Sequence, residues 1–343
     1  MEKRVKEDLK ELKERCKIFK EKIKGKRFLI TGGAGFIGSW LCDILYEFGA
    51  EIVCIDNFST GSKKNISHLI DKQRFTLLEN DVSKNDWLLL PEIKERFDFV
   101  LHLAARADPK NYVKYPIDTM LSNSLGTLHT LQIATRDKAI YFFASTSEVY
   151  GDPKVHPQHE AYWGNVNPIG IRACYDEAKR FSEALCMAFF REKGIEVKIS
   201  RIFNTYGPRL NDGRVICTFI KQALMNQPLT VFGNGKQTRS PCYITDMIDG
   251  ILRTIFLGTS GDVYNIGNPE EITIIELAHL IKTLCNSNSE IVFKPLPQDD
   301  PIKRKPDITK AKKELGFTPK IPLKEGLERK INWFREVLKC ISL

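Results

Sequence analysis

Residues 27–56 read RFLITGGAGFIGSWLCDILYEFGAEIVCID, and this stretch decides the fold. RFLIT and EIVCID are short apolar runs rich in branched and aromatic residues, which is typical of buried strands, and the segment between them is long enough for a helix. Similar runs follow at FTLLEND, FDFVLHLAA, AIYFFAS and VKISRIF, with helical stretches between them. Strands that alternate with helices predict an α/β fold built on a parallel sheet that is covered on both faces.

A glycine-rich turn, TGGAGFIG, joins the first predicted strand to the first predicted helix. Gly32, Gly35 and Gly38 leave room for a tight turn, for a pyrophosphate close to backbone N–H groups, and for close packing of helix on strand. Asp56 ends the second strand 18 residues after Gly38, where a carboxylate can accept hydrogen bonds from a ribose diol and would repel a 2′-phosphate. These features predict a Rossmann-type doubly wound sheet that binds NAD rather than NADP.

Other residues are expected to complete the NAD site. Asp81, after the third strand, is placed to meet the adenine end, although it could equally cap a turn, and residues 101–105 (LHLAA) would run beneath the cofactor. The predicted NAD contacts are Gly32, Gly35, Phe36, Ile37, Gly38, Asp56, Asn57, Asp81, Val82, Leu103, Ala104, Ala105, Tyr175 and Lys179.

Two further segments carry candidate catalytic groups. FFASTSEVYG places Thr146, Ser147 and Glu148 at the carboxyl end of a strand, the edge where open parallel sheets bind ligands. ACYDEAKR places Tyr175 and Lys179 four residues apart on one helix face. Each of these two segments, taken alone, is an ordinary pattern of a surface acid, a capping hydroxyl or a solvated lysine. With an NAD turn upstream, they predict that Tyr175 is a general acid or base, that Lys179 lowers its pKa and holds the cofactor ribose, and that Thr146 hydrogen-bonds the reacting hydroxyl.

These motifs resemble one known family. The chain from Lys26 to about Phe334 is similar to the extended short-chain dehydrogenase/reductases of the NAD-dependent sugar-nucleotide epimerase/dehydratase family, and within it to the UDP-glucuronate decarboxylases, which make UDP-xylose. The most specific strings are STSEVYGDPKVHPQ, YWGNVNPIG with RACYDEAKR, RIFNTYGPR, NDGRV, PLTVFG with QTR, and QDDPIKRKPD.

The resemblance implies an oxidation at the sugar C4 that is later reversed, so that NAD is recycled. Tyr175 would take the 4-hydroxyl proton, and the resulting 4-keto sugar would lose its C5 carboxylate as carbon dioxide. Ser147 and Glu148 match family positions beside C5 and the carboxylate, and Arg214 in NDGRV matches an arginine implicated in decarboxylation. The residues in stretches that line the nucleotide diphosphate are Asn204, Arg239 and Arg304.

Other activities remain open at this point. A sugar-nucleotide 4,6-dehydratase starts with the same oxidation. GDP-mannose dehydratases resemble the chain at Thr-Ser-Glu, whereas dTDP-glucose dehydratases usually have an Asp-Glu pair, and this chain has Ser147 in place of that Asp. A 4-epimerase is a third reading, and a non-catalytic NAD-binding regulator is a fourth. Ile171 in place of a usual proline, a short loop at Leu210, and the run 240–242 depart from the decarboxylase pattern and could mark an altered substrate.

The domain organisation follows from composition and periodicity. Residues 1–25 are expected to form a charged amphipathic helical extension, residues 26–205 the NAD-binding Rossmann domain with a return segment near 240–266, and residues 206–340 mainly a smaller α/β substrate lobe. An apolar stripe along the extension could pair with another chain, but a helix this short is more often packed on its own domain. The stripe consists of Val5, Leu9, Leu12, Cys16, Phe19 and Ile23.

Charge and cysteine usage limit the partners. The net charge is +9, of which the first 26 residues contribute +5, and the rest has no basic stripe interleaved with aromatics, so nucleic acid is not expected. No apolar run is long enough for a membrane helix, and the nine scattered cysteines suggest neither a disulfide framework nor a metal site, which favours a cytoplasmic protein. His156 and His159 lack a third ligand, and His102 is expected to be buried and hydrogen-bonded. The resemblance implies a nucleotide-sugar substrate and a homodimer formed by two helices per subunit, one of them containing Tyr175 to Arg191.

Overall fold

The computed structural model describes residues 1–210, 212–296 and 301–339. Asn211 of NDGRV and the start of QDDPIKRKPD, residues 298–300, lie outside this part of the chain. The helices are α1 Lys3–Cys16, α2 Lys20–Ile23, α3 Phe36–Glu47, α4 Pro91–Lys94, α5 Pro109–Lys114, α6 Pro116–Asp137, α7 Ala173–Lys193, α8 Val215–Leu224, α9 Ile244–Leu257, α10 Ile274–Cys285, α11 Thr309–Leu315 and α12 Leu323–Lys339. The strands are β1 Arg27–Thr31, β2 Glu51–Asp56, β3 Phe75–Glu79, β4 Phe99–His102, β5 Ile140–Thr146, β6 Val197–Ile202, β7 Thr205–Tyr206, β8 Leu229–Phe232, β9 Thr238–Arg239, β10 Cys242–Tyr243, β11 Asp262–Ile266, β12 Ile272–Thr273 and β13 Ile291–Lys294.

The central feature is a seven-stranded sheet in the order β11-β6-β5-β4-β1-β2-β3. All of its strand pairs are parallel, which confirms the predicted α/β Rossmann-type architecture. The order reverses at β1, which pairs with both β2 and β4. Ligands bind such sheets outside the carboxyl ends of the strands at this reversal, so the glycine turn after β1 and the end of β5 lie at the expected edge.

The later part of the chain adds smaller pieces beside this edge. β8 pairs with β13, β7 with β10, and β9 with β12, each as a two-stranded sheet. Helices α8 and α10 pack against each other and against β8. β11 returns to the main sheet as its edge strand next to β6. Within the described ranges, no helix combines the length and apolar character that are needed to cross a membrane.

The N-terminal extension is packed against the rest of the chain. Helix α1 contacts α9, α3 and α12, and a 3₁₀ turn at Lys17–Phe19 leads into α2. Five residues of the stripe are at most 1% exposed and join the main hydrophobic core: Val5, Leu12, Cys16, Phe19 and Ile23. The expectation that the extension lies on its own domain is confirmed.

The same packing buries a charge. Asp8 is 0% exposed and accepts hydrogen bonds from the Tyr243 hydroxyl at 2.6 Å, Arg4 at 2.7 Å and Arg329 at 2.8 Å. A buried carboxylate must be paired. These polar contacts and the apolar face of α1 therefore both fix the position of the helix.

Replacing Leu12 by alanine is therefore expected to destabilise the whole protein. A buried leucine truncated to alanine costs about 2–5 kcal/mol of unfolding free energy, and Leu12 is 0% exposed. Urea unfolding would measure the loss, with Lys10→Ala, an exposed position on the same helix, as the control. Equal stability of the two variants would contradict the assignment of α1 to the core.

Candidate active site

One cleft of about 1630 Å³ lies at the carboxyl edge of the sheet. Every residue that the sequence assigned to cofactor, substrate or catalysis lines it, although these residues come from widely separated parts of the chain. They are Gly32, Gly35, Phe36, Ile37, Gly38, Asp56, Asn57, Asp81, Val82, Leu103, Ala104, Ala105, Thr146, Ser147, Glu148, Tyr175, Lys179, Asn204, Arg214, Arg239 and Arg304.

The glycine turn fits a dinucleotide pyrophosphate. Gly32 has a φ of +72°, and a side chain there would lie 2.8 Å from the backbone of Ala104. A Cβ on Gly38 would lie 2.1 Å from the Gly32 carbonyl oxygen, so only glycine lets α3 start this close to β1. Helix α3 begins at Phe36 with no side chain capping its first turn. Its first amides therefore point into the cleft with no intrahelical acceptor, which is the arrangement that binds phosphate.

Acidic groups follow at the ends of β2 and β3. The Asp56 carboxylate accepts hydrogen bonds from the amides of Ala34 at 2.9 Å and Phe58 at 2.8 Å, which fix it beside the glycine turn. Asp81 accepts from the Asn57 side-chain amide at 2.9 Å and from the Ser83 amide at 2.8 Å. Asp81 therefore caps a local turn and also lines the cleft. Its interpretation as a turn cap is thus compatible with the predicted contact with the adenine end of NAD.

A buried histidine ties the end of β4 to the end of β1. His102 is 1% exposed, and its Nδ1 lies 2.7 Å from the Thr31 hydroxyl, which confirms that it is buried and hydrogen-bonded. Burial lowers the pKa of His102 to about 3. The Thr31 hydroxyl oxygen also accepts from the amides of Leu103 at 3.2 Å and Ala104 at 3.3 Å. These bonds hold residues 103–105 against the glycine turn.

Tyr175 and Lys179 project from the first turns of α7 towards the end of β5. Burial raises the pKa of Tyr175, while a hydrogen bond with Thr146 and the charge of Arg214 act in the opposite direction. The Lys179 ammonium donates to the Ala144 carbonyl at 2.8 Å and lies 5.9 Å from the Tyr175 ring centre. Burial lowers the pKa of Lys179 to about 7. Because the ammonium bonds a backbone carbonyl and not the phenol, the expected lowering of the Tyr175 pKa by Lys179 stays a prediction.

Glu148 is held by two guanidinium groups. Arg172 Nη2 donates to Glu148 Oε2 at 2.5 Å and Arg304 Nη2 donates to the same oxygen at 3.1 Å. Burial alone would raise the pKa of Glu148, but the charges of Arg304 and Arg172 outweigh it and bring the pKa to about 2. Glu148 is consequently a carboxylate at any physiological pH.

Arg304 is 1% exposed although it lies in a basic loop. Besides Glu148, it donates to the Ser147 carbonyl and, at 3.1 Å, to the Gly151 carbonyl. Its guanidinium therefore lies against the turn Ser147–Tyr150 that carries Glu148, and the assignment of Arg304 to the nucleotide diphosphate stays a prediction.

The other predicted substrate residues lie around the same cleft. Arg214 Nε donates to Asp212 Oδ2 at 2.7 Å, and its charge favours the Tyr175 phenolate. Arg239 donates to the Thr238 carbonyl at 2.8 Å. Within the described residues, the buried Oδ1 of Asn204 has no protein donor, which leaves it available to a ligand.

Arg172 and Tyr112 contact the catalytic groups but carried no assignment from the sequence. Arg172 immediately precedes α7 in RACYDEAKR. Tyr112 on α5 stacks flat on the Tyr175 ring, with ring centres 5.0 Å apart and an interplanar angle of 3°. No spacing rule joins Tyr112 to Tyr175, but the adjacency of Arg172 to the YxxxK helix was a usable signal.

The sheet, the glycine turn and the Thr146, Tyr175 and Lys179 group together define an NAD-binding short-chain dehydrogenase/reductase. The NAD dependent epimerase/dehydratase family matches residues 28–267. The chain belongs to that family, and NAD is its cofactor.

Curated relatives and solved structures agree with this assignment. The chain is 49% identical to UDP-glucuronic acid decarboxylase 1 of Xenopus tropicalis over 316 residues, which is 92% of this chain and 73% of the relative. It is 51% identical to UDP-glucuronic acid decarboxylase 5 of Arabidopsis thaliana over 304 residues, 88% of this chain and 87% of the relative. A UDP-glucuronic acid 4-epimerase from Bacillus cereus, solved with UDP-glucuronic acid and NAD, superimposes with a TM-score of 0.82 at 29% identity, covering 91% of this chain and 99% of the epimerase.

Proposed function

We propose that the chain is an NAD-dependent UDP-glucuronate decarboxylase that makes UDP-xylose through a 4-keto intermediate. The observation that carries the proposal is the buried contact of Glu148 with Arg172 and Arg304, beside Tyr175 in the cleft. Decarboxylase relatives at about half identity over some nine-tenths of the chain support the same activity.

The first step is oxidation at the sugar C4. Tyr175 takes the 4-hydroxyl proton, and the Thr146 hydroxyl bonds the same oxygen and stabilises the phenolate. Lys179 binds the ribose of the cofactor and adds positive charge beside Tyr175. Bound NAD would supply a hydride acceptor for C4 and would give the hydride back to the same carbon, so the overall reaction involves no net oxidation.

The second step is loss of the carboxylate. In the 4-keto sugar the C5 carboxylate is β to a ketone, so the bond to C5 can break with its electron pair delocalised into an enolate. Arg304 and Arg172 supply positive charge on this side of the cleft, where negative charge moves from the carboxylate to the enolate. Ser147 and Glu148 contact C5 and its substituent, and Arg214 contacts the carboxylate. The enolate then takes a proton at C5 from solvent, and when C4 is reduced again Tyr175 returns the proton to O4.

The relatives favour decarboxylation over 4,6-dehydration. An ionised Glu148 fits either activity, since a dehydratase would use this carboxylate to take the C5 proton, and the Thr-Ser-Glu motif is shared with GDP-mannose dehydratases. The support for decarboxylation is the similarity of about half the residues to decarboxylases over some nine-tenths of the chain.

The remaining contacts follow from the same assignment. Asn204, Arg239 and Arg304 line the nucleotide diphosphate, and Arg304 also contacts the turn that carries Glu148. Residues 26–205 and the return segment near 240–266 hold NAD, and residues 206–340 mainly hold the nucleotide sugar. The NAD contacts are Gly32, Gly35, Phe36, Ile37, Gly38, Asp56, Asn57, Asp81, Val82, Leu103, Ala104, Ala105, Tyr175 and Lys179.

Arg239→Ala should accordingly weaken UDP-glucuronate binding in calorimetry and leave NAD binding unchanged. An equal loss of affinity for both ligands would contradict this division between the two parts of the chain.

Incubation of the purified protein with NAD and UDP-glucuronate tests the function. The expected products by mass spectrometry are carbon dioxide and a UDP-pentose that coelutes with UDP-xylose. A product that has lost water instead, from a GDP- or dTDP-sugar, would replace the decarboxylase by a dehydratase. Recovery of UDP-galacturonate would replace it by a 4-epimerase.

A homodimer is the oligomeric state that the surface supports. Helices α6 and α7 pack side by side, and their outer faces carry exposed apolar side chains, including Ile117 at 70%, Met120 at 47% and Phe181 at 51%. Two copies that join these faces would bury an apolar patch that water otherwise contacts.

Light scattering is expected to give twice the chain mass of 39.3 kDa, and Ile117→Lys should lower the measured mass. Leu89→Lys, at an exposed site outside these helices, is the control; a monomeric wild type would refute the dimer.

A cytoplasmic location is consistent with the thiols. The cysteines in the described residues are free and buried, as expected of a reducing compartment. Cell fractionation with compartment markers tests this location, and recovery in a membrane or secreted fraction would contradict it.

A further inference from the structure

Arg172 connects the two halves of the catalytic cleft. Its backbone carbonyl accepts from the amides of Tyr175 at 3.0 Å and Asp176 at 3.1 Å, so it belongs to the first turn of the helix that carries Tyr175. Its side chain extends the other way and donates to Glu148 at 2.5 Å. The side chain is only 12% exposed.

The Arg172 guanidinium also covers Tyr112. The guanidinium carbon lies 5.6 Å from the centre of the Tyr112 ring, within the range of a cation–π contact. Tyr112 in turn lies flat on Tyr175 and is 1% exposed. A continuous series of contacts therefore runs from Glu148 through Arg172 and Tyr112 to the Tyr175 ring.

The hydroxyl of Tyr112 does not explain why a tyrosine is buried there. Within the described residues, this hydroxyl has no hydrogen-bond partner, so the contribution of Tyr112 comes from its ring. The ring stacks on Tyr175 and the Arg172 guanidinium lies over it, so both contacts act on the part of Tyr112 that a substitution by leucine would remove.

We propose that Arg172 is a positioning residue that holds Glu148 and the Tyr112–Tyr175 stack in fixed register, so that the group acting at O4 and the group acting at C5 address the same bound sugar. The proposal rests on the decarboxylase function. The reaction requires oxidation at C4 and bond cleavage at C5 in one binding event, and a shift of about 1 Å in a catalytic group can cost about 100-fold in rate.

Arg172→Gln removes the charge and the ion pair but keeps a polar side chain of similar length. We expect kcat for UDP-xylose to fall by about 100-fold, while KM for UDP-glucuronate changes little and the ratio of released UDP-4-keto-pentose to UDP-xylose rises. Arg172→Lys, which restores the charge, should recover part of kcat and lower the ketone ratio. Arg335→Gln makes the same substitution at an exposed position of α12 and should behave like the wild type.

Two variants of Tyr112 separate positioning from general stability. Tyr112→Phe keeps the ring and should keep kcat and the product ratio, whereas Tyr112→Leu removes the stack and should shift both in the direction of Arg172→Gln. Thermal melting identifies any variant that fails to fold. An unchanged product ratio in folded Arg172→Gln and Tyr112→Leu would overturn the positioning role while the wild type still makes UDP-xylose. Absence of turnover by the wild type would overturn the proposed function and this inference with it.

Discussion

Tyr175→Phe is expected to lower kcat for UDP-xylose formation by about 1,000-fold or more, because it removes the group that takes the 4-hydroxyl proton; general acid–base groups contribute up to about 10⁴-fold. The substitution deletes a single oxygen and keeps the ring that stacks on Tyr112 at 5.0 Å. The fold and the affinity for UDP-glucuronate should therefore stay close to those of the wild type. The measurements are the initial rate of UDP-xylose formation and the transient absorbance of NADH, and both should be lost together because the lesion precedes all later steps.

The pH dependence provides an independent check on the same residue. Burial raises the pKa of Tyr175, and Thr146 is the first hydrogen-bonding partner that lowers it. Since the proposed base is the phenolate, kcat should rise with pH on the acidic side of this pKa, and Thr146→Val should move the rise to higher pH. Tyr46→Phe, at the far end of α3, is the matched control and should leave the profile unchanged. A Tyr175→Phe enzyme that still oxidises C4 at a comparable rate would transfer the role of base to another group.

The sequence predicted those parts of the molecule that depend on local pattern. The alternation of apolar runs with helical stretches predicted the strands and helices, and the spacing of Gly32, Gly35 and Gly38 predicted the turn, because these patterns are set by near neighbours along the chain. The stripe on α1 likewise predicted which face of the helix is buried, although its partners α9 and α12 are distant in the sequence. His102 was predicted to be buried because it sits within an apolar strand, where a polar ring must find a partner such as Thr31.

The parts that the sequence did not predict depend on contacts between distant segments. Arg304 and Glu148 are 156 positions apart; the resemblance assigns Arg304 to the nucleotide diphosphate, and no local pattern links it to Glu148. Arg172 and Glu148 are 24 positions apart, across an irregular segment without periodicity. The orientation of Lys179 is a different case, since helical spacing places it on the face of Tyr175 but does not show that its ammonium donates to the Ala144 carbonyl.

Arg304→Gln is expected to lower kcat for UDP-xylose by about 100- to 1,000-fold, the range found when one preorganised donor to a developing charge is removed. Arg304 donates to the Ser147 and Gly151 carbonyls as well as to Glu148, so its loss frees the turn that carries Glu148 and removes positive charge where the enolate forms. Oxidation at C4 does not use Arg304. NADH should therefore still form from UDP-glucuronate, and the bound intermediate should stall before it loses carbon dioxide.

The same substitution should change the titration of Glu148. Burial favours the neutral acid, and Arg304 is the largest of the charges that bring its pKa down to about 2. With only Arg172 left, this pKa should rise, so the variant should lose activity at a higher pH than the wild type as the medium is acidified. Removing one partner of a buried ion pair can also cost about 3–5 kcal/mol of stability. Arg304→Lys keeps the charge but not the forked geometry, so it is measured in parallel with Arg304→Gln. Lys303→Gln, at the adjacent exposed position, is the control. If folded Arg304→Gln released carbon dioxide at the wild-type rate, the decarboxylation step would have to be assigned to Arg214 instead.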